Sequence, residues 1–363
     1  MVSDIHLGNR RNPAEDIIAN LDRQFPDNAE TAQLDLIVLA GDVFDKLLSS
    51  NDVVVIDLWI ARFLRLCKKH DIALRVLEGT PSHDWKQSDR FTTINNGVAN
   101  IGADLVYVKD LSIRYEEKFD MNFLFVPDEW SSSSEKTLSQ VKDIMQAKRL
   151  AQVDYAFMHG QFEFQLPKHI KAQKHDSAEY LKLVKHLIFI GHVHTYRFYD
   201  RIYAQGSFDR IAHNEEEPKG HLRVKAFSDG RYDIVFHETV HAKKFVTVDC
   251  LDLPYEDAVR KVVDVGLTLP SGSWLRVYAR NKAAIFSNFD EVKRQLIGLH
   301  LERKEEDADA IEELENIEDS DYVPITITKD NIEDLLMERI RSKVADPSIV
   351  TMSEILLREV VHE

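Results

Sequence analysis

The sequence predicts a layered α/β fold with a second, smaller α/β unit and a helical tail, and three observations carry that prediction. Short apolar runs recur at 36–39, 73–77, 123–126, 155–158 and 187–190, each of strand length and each followed by Gly, Asp or His. Between the first two lies one long helix-like stretch, 52–69, apolar on more than one face. At 363 residues the chain exceeds what one hydrophobic core usually organises.

The elements follow in order. The run Leu36-Ile37-Val38-Leu39 stops at Ala40-Gly41-Asp42 and reads as a buried strand ending in a loop. The strand at 73–77 stops at Glu78-Gly79, the one at 155–158 at His159-Gly160, and the one at 187–190 at Gly191-His192. Ser228-Asp229-Gly230 between alternating segments signals a hairpin. From Lys244 a strand (245–248), helix (255–265), strand (274–279) and helix (289–299) form a compact β-α-β-α piece. The segment 302–321 holds eleven acids and two bases and reads as a solvated tether or helix. A strand-like run at 323–327 and two helices, 331–340 with apolar i, i+3, i+4 spacing and 353–361, complete the chain. The expected divisions are 1–241, 242–300, an acidic linker 301–325, and a helical segment 326–363.

Composition narrows the function classes. Two distant cysteines, Cys67 and Cys250, exclude a disulfide framework and a zinc–thiolate site. No apolar run reaches the roughly 18 residues of a membrane span, and the first residues carry no apolar signal core. A cytoplasmic protein without a membrane partner is expected. The net charge of −16 argues against tight metal-free binding to nucleic acid, although 302–321 alone carries −9 of it.

The chemistry sits at the strand ends. Five fragments lie there in order: Asp4-Ile5-His6, Gly41-Asp42-Val43-Phe44-Asp45, Ser82-His83-Asp84, His159-Gly160 and Gly191-His192-Val193-His194. Side chains two apart on an extended segment share a side, so Asp4 with His6, and His192 with His194, each aim two groups into one pocket. Carboxylate and imidazole without thiolate suit manganese, iron or zinc. Seven or eight such groups exceed one tetrahedral ion and fit two ions sharing a carboxylate. The other histidines match no motif and read as surface or structural residues.

The order D-x-H, G-D-x-x-D, H-D, H-G, G-H-x-H resembles the signature of calcineurin-like metallophosphoesterases. Ser3-Asp4-Ile5-His6-Leu7-Gly8 and Gly41-Asp42-Val43-Phe44-Asp45 resemble its SbcD-type branch of double-strand-break repair nucleases, and Tyr203-Ala204-Gln205-Gly206-Ser207 is similar to a segment that follows the last histidines there. The resemblance is specific over 1–210 and architectural beyond. It implies a two-sheet sandwich flanked by helices, a DNA-capping unit, and a helix pair that grips an SMC-like ATPase subunit of SbcC type.

The resemblance also implies roles. Asp4, His6, Asp42 and His194 hold one divalent ion, and Asp42 bridges to a second held also by His159 and His192. Manganese is preferred; magnesium, iron and zinc are alternatives. Ser82 stands where the family has an asparagine ligand, which predicts a weaker second site. His83 is the general acid with Asp84 orienting its ring, while Asp45, Tyr203 and Ser207 support the site. The family starts with a full strand before D-x-H, whereas three residues precede Asp4 here, so either the first strand is cut short or the true start lies upstream. The expected function is a manganese-dependent 3′→5′ exonuclease and single-strand endonuclease on DNA ends, homodimeric through 52–69. The rivals are a small-substrate phosphodiesterase with the same metal site and a catalytically weakened scaffold for the ATPase.

Overall fold

The computed structural model describes residues 1–167, 170–227 and 230–306, with 336, 337, 340, 341 and 351–353. Met1–Glu306 form one compact unit. Its strands are β1 (Leu36–Ala40), β2 (Ala73–Leu77), β3 (Leu105–Val108), β4 (Ser112–Glu116), β5 (Met121–Val126), β6 (Tyr155–Gly160) and β7 (Ile188–His192). There follow β8 (Arg197–Tyr199), β9 (Ile202–Ala204), β10 (Gly220–Ala226), β11 (Tyr232–Glu238), β12 (Phe245–Asp249), β13 (Trp274–Arg280) and β14 (His300–Glu306). The helices are α1 (Ala14–Gln24), α2 (Ser50–Lys69), α3 (Pro81–Asp84), α4 (Asp89–Thr93), α5 (Ser134–Lys148), α6 (Ser177–Leu183), α7 (Tyr255–Gly266), α8 (Ala284–Ser287) and α9 (Phe289–Gln295).

The fold is α/β, with several sheets flanked by helices. One sheet runs β1-β2-β3, all parallel, and a second runs β4-β5-β6-β7-β9-β8 with β5, β6, β7 and β9 parallel. Parallel strands covered on both faces need apolar side chains at nearly every position, which explains the uninterrupted runs. Period-2 alternation then divides each strand between two cores. Ile37 and Leu39 of β1 face outward into a cluster with Ile17 of α1 and Trp59, Ile60 and Phe63 of α2, whereas Val38 and Ala40 face inward between the sheets. The second sheet repeats the rule. Leu124, Val126, Ala156, Met158, Ile188 and Ile190 pack outward with Val141 of α5 and Tyr180 of α6. Phe123, Phe125, Tyr155, Phe157 and Phe189 point inward and line the seam with aromatic rings, Phe125 and Phe157 stacked 5.5 Å apart.

Helix α2 starts where Ser49 accepts a hydrogen bond from the Asp52 amide. It buries Ile56, Trp59, Ile60, Phe63, Leu64 and Cys67 and leaves Val54 and Leu58 exposed. No described helix is long and apolar enough to cross a membrane.

A third sheet, β12-β13-β14, is parallel throughout and has its own core with α7, α8 and α9. Here the sequence expectation is corrected. Residues 301–306 are not linker but most of strand β14, paired with β13 from Trp274↔His300 to Arg280↔Glu306. Two of the acids that suggested a solvated tether are paired: Glu302 meets Arg276 and Arg11, and Glu306 meets Arg280. The helix expected over 289–299 ends at Gln295. Strands β10 and β11 flank the expected hairpin, whose residues 228 and 229 lie outside the described residues, as do 307–335 with the rest of the expected linker and the strand at 323–327. Of the expected terminal helices, Leu336, Met337, Ile340 and Ser353 are helical, as are Arg341, Thr351 and Met352 beside them; the remainder lies outside the described residues.

Candidate metal centre

Parallel strands deliver their C-terminal ends to one edge of a sheet, and polar groups collect there because the strands stop and backbone groups open. Asp42 follows β1, Thr80 and His83 follow β2, Asp128 follows β5, His159 closes β6 and His192 closes β7. Asp4 and His6 join them beside β1: Val2 pairs with Leu39 and Leu7 with Phe44, and the Ile5 and His6 amides both donate to the Asp42 carbonyl oxygen.

The backbone is strained where these groups converge. Asp4, His6, Asp42 and His192 have φ of 51°, 55°, 49° and 101°. The left-handed region costs a non-glycine residue roughly 1–2 kcal/mol, and such strain clusters at functional sites. Close approach also fixes two glycines. A Cβ on Gly41, at φ 83°, would meet His159 Nδ1 at 2.2 Å, and one on Gly79 would meet the Asp42 amide nitrogen at 2.1 Å.

Three overlapping groups have ligand atoms within 4.8 Å of one another: Asp4, His6 and His194; His6, Asp42 and His83; Asp42, His159 and His192. His6 and Asp42 link them. His6 Nε2 stands 3.1 Å from His194 Nε2, and His159 Nε2 stands 3.3 Å from Asp42 Oδ1. Asp4 accepts from the His192 amide at 3.0 Å and also takes the Ser3 hydroxyl. His83 Nδ1 donates to Asp42 Oδ2 at 2.8 Å.

The chemistry of these donors fits divalent cations. His159 Nδ1 donates to the Ala40 carbonyl at 2.6 Å, so in the neutral ring Nε2 carries a lone pair; it is buried, has no hydrogen-bond partner and faces a carboxylate. His194 Nδ1 is tied to Glu215 Oε1 at 2.6 Å, which leaves its Nε2 lone pair directed at His6 Nε2. Buried lone pairs and carboxylates facing one another repel unless a proton or cation lies between them. Imidazole and carboxylate donors with outer nitrogens anchored by carbonyl or carboxylate are the usual arrangement at metal sites.

The titration behaviour follows the same crowding. Burial opposes charging of Asp42, but the adjacent His159, His83 and His6 rings override it and hold the carboxyl well below the usual carboxylate range. Burial likewise works against a charged His159, and Asp42 overrides it and raises that ring. Its hydrogen bond to Asp42 raises His83. Burial lowers His192, helped by His159. Asp84 moves the other way, pushed up to about 8 by burial and by the charges of Asp42 and Glu78.

Two expected roles are corrected. Ser82 is exposed on α3. Thr80, not Ser82, meets Asp42: its amide donates to Asp42 Oδ1 at 2.6 Å, and its hydroxyl lies 3.1 Å from Asp42 Oδ2, 3.2 Å from Asp128 Oδ2 and 3.3 Å from His192 Nδ1. Asp84 does not hold the His83 ring. It is buried and accepts from the Asp42, Phe44 and Gly79 amides, clamping the two loops together, while Asp42 itself holds His83.

Asp45 lies 3.4 Å from His6 Nδ1 and accepts from Asn9. Ser207 donates its amide to the His194 carbonyl and so braces that loop. Tyr203 stacks on Phe198, 5.8 Å away, within the sheet rather than among the ligand groups. Sequence reasoning missed Thr80, Asp128 and Glu215. Asp128 carried a usable signal, since it follows an apolar strand as the other site residues do; Glu215, in an irregular segment after β9, carried none.

No protein-family model matches the chain, and no curated protein matches it. Among solved structures, the chain is similar to TT1561 of Thermus thermophilus at 12% identity and a TM-score of 0.36, over 65% of this chain and 96% of that one. That likeness is too distant to carry an argument. The reading of the site rests on its geometry.

Proposed function

We propose that the chain is a two-metal phosphoesterase, and more finely a manganese-dependent nuclease acting on DNA ends. The observation that carries the proposal is the convergence of Asp4, His6, Asp42, His159, His192 and His194 from separate segments of the chain into linked ligand groups. Asp4, His6 and His194 would hold one ion and His159 and His192 another, with Asp42 between. Divalent cations held there supply positive charge that draws in an anionic ester and make water a better nucleophile near neutral pH. The chain's own groups do the rest. His83, fixed through Nδ1 by Asp42, which favours its doubly protonated form, and with its side chain 37% exposed, would donate its Nε2 proton to the departing oxygen. Asp84 and Gly79 keep the two loops in register so that this distance holds.

The manganese preference, the nuclease specificity and the partners rest on the motif resemblance. Exposed Val54 and Leu58 on α2 support a homodimer contact there. The segment 326–363 is the one proposed to bind an SMC-like ATPase. A small-substrate phosphodiesterase remains the second reading, favoured by a cavity of about 200 Å³ beside His192.

The test is hydrolysis of bis-p-nitrophenyl phosphate and of end-labelled duplex DNA with manganese. Cleavage of both is expected, and His83→Ala should lower the rate roughly 100-fold or more while retaining metal. Cleavage of the small ester alone assigns the second reading. Failure on both substrates with manganese bound refutes the phosphoesterase reading.

A further inference from the structure

A cavity of about 200 Å³ opens beside the second ligand group, lined by its His192 and by the Asp128 that meets Thr80. Its other walls come from the segment after β5, the end of β6 and the stretch before α6. We infer that this cavity is a nucleobase subsite: it takes the flat heteroaromatic ring of a nucleotide whose phosphate sits at the metal centre. The inference rests on the phosphoesterase reading for the position of the phosphate, and on its own residues for the ring.

Three features point to such a ring. Trp130 lines the cavity, and its indole N–H is tied to Gln140 Oε1 at 2.7 Å, which sets the ring's orientation and leaves its face for stacking. Aromatic faces accept any base, because every base has a π-face. The polar wall suits a base edge: Glu129, Gln161 and Gln173 line it, and carboxylates and amides pair with the exocyclic amines and ring nitrogens of bases. Gln161 and Gln173 are held by donating to the Gln173 and Ser132 carbonyl oxygens.

The inner wall is His175, 8% exposed, with Nδ1 buried and lacking a hydrogen-bond partner. Burial pushes its pKa down to about 4, so the ring is neutral near pH 7. An unpartnered buried nitrogen is costly. Size sets the limit. The cavity is smaller than the roughly 300–1,000 Å³ that holds a drug-sized ligand, so it admits one ring system. A phosphate drawn to the cations and a base drawn to Trp130 make the site read a nucleotide in two places, which a bare phosphoester cannot satisfy.

The experiment is calorimetric titration of the magnesium-loaded full chain with AMP, ribose 5-phosphate and adenosine. AMP should bind at least tenfold more tightly than ribose 5-phosphate. Trp130→Ala should weaken AMP roughly tenfold, as loss of one stacked base would, while leaving ribose 5-phosphate unchanged. Trp130→Phe, which keeps a stacking face, should restore most of the affinity and shows that the alanine effect is not misfolding. Equal affinity for AMP and ribose 5-phosphate overturns the subsite, as does an unaltered AMP affinity in Trp130→Ala. If adenosine binds and loses affinity in Trp130→Ala while ribose 5-phosphate does not bind at all, the subsite stands and the phosphoesterase reading fails. A dinucleotide arm assigns the source: tighter binding than AMP places a strand terminus there, and weaker binding a free nucleotide, each in support of the subsite.

Discussion

The two ends of the metal centre differ in what stands behind the ligands. At the Asp4, His6 and His194 end, the outer ring nitrogens meet carboxylates: Glu215 lies 2.6 Å from His194 Nδ1, and Asp45 lies 3.4 Å from His6 Nδ1. At the Asp42, His159 and His192 end, His192 Nδ1 likewise has a carboxylate, Asp128, 3.5 Å away, and the difference lies in His159, which is backed by the neutral carbonyl of Ala40. A carboxylate behind an imidazole raises its basicity and fixes its tautomer, and such partners change metal affinity about 10–100-fold. The lesson is that one rim of strand ends can back the same residue types with different partners. The first end should hold its ion more tightly.

The largest expected effect that sharpens this contrast is Glu215→Gln. It should weaken one of two manganese-binding steps by about 10–100-fold and leave the other unchanged in calorimetric titration. Equal weakening of both steps would erase the distinction between the ends.

A smaller effect separates the rim from buried carboxyls elsewhere. Burial pushes Asp209 up to about 6, opposed by hydrogen bonds from Asn20 and the Arg210 amide, whereas Asp42 at the rim is held low by its histidines. A raised folded-state value means the folded chain binds the Asp209 proton more tightly than the unfolded chain does. Its contribution is therefore fully present below about pH 4 and is lost as pH rises to about 6. Asp209→Asn removes this loss. The stability of the wild type minus that of the variant should fall by about 2–3 kcal/mol between those limits, read by urea unfolding in chelator. A difference independent of pH would show that Asp209 titrates as an ordinary carboxyl.

Much of this was legible in the sequence, for physical reasons. Strands buried on both faces need unbroken apolar runs, so β1, β2, β5, β6 and β7 announced themselves, and the polar residue after each marked the rim. What escaped depended on geometry over a few residues. Pro81 and Ser82 separate Thr80 from His83, and reading backward from the His-Asp pair put Ser82 at the site, whereas Thr80 is the residue that hydrogen-bonds to Asp42. One helical turn aims neighbouring side chains apart, which sends Asp84 into the backbone clamp and His83 to Asp42. Glu302 and Glu306 of β14 looked solvated because their partners, Arg11, Arg276 and Arg280, lie far away in sequence.

The most direct test is to count manganese on the purified, unaltered chain by calorimetry with elemental analysis. Two ions per chain, bound in steps of unequal affinity, is the result the site predicts. One ion, or none, would contradict it.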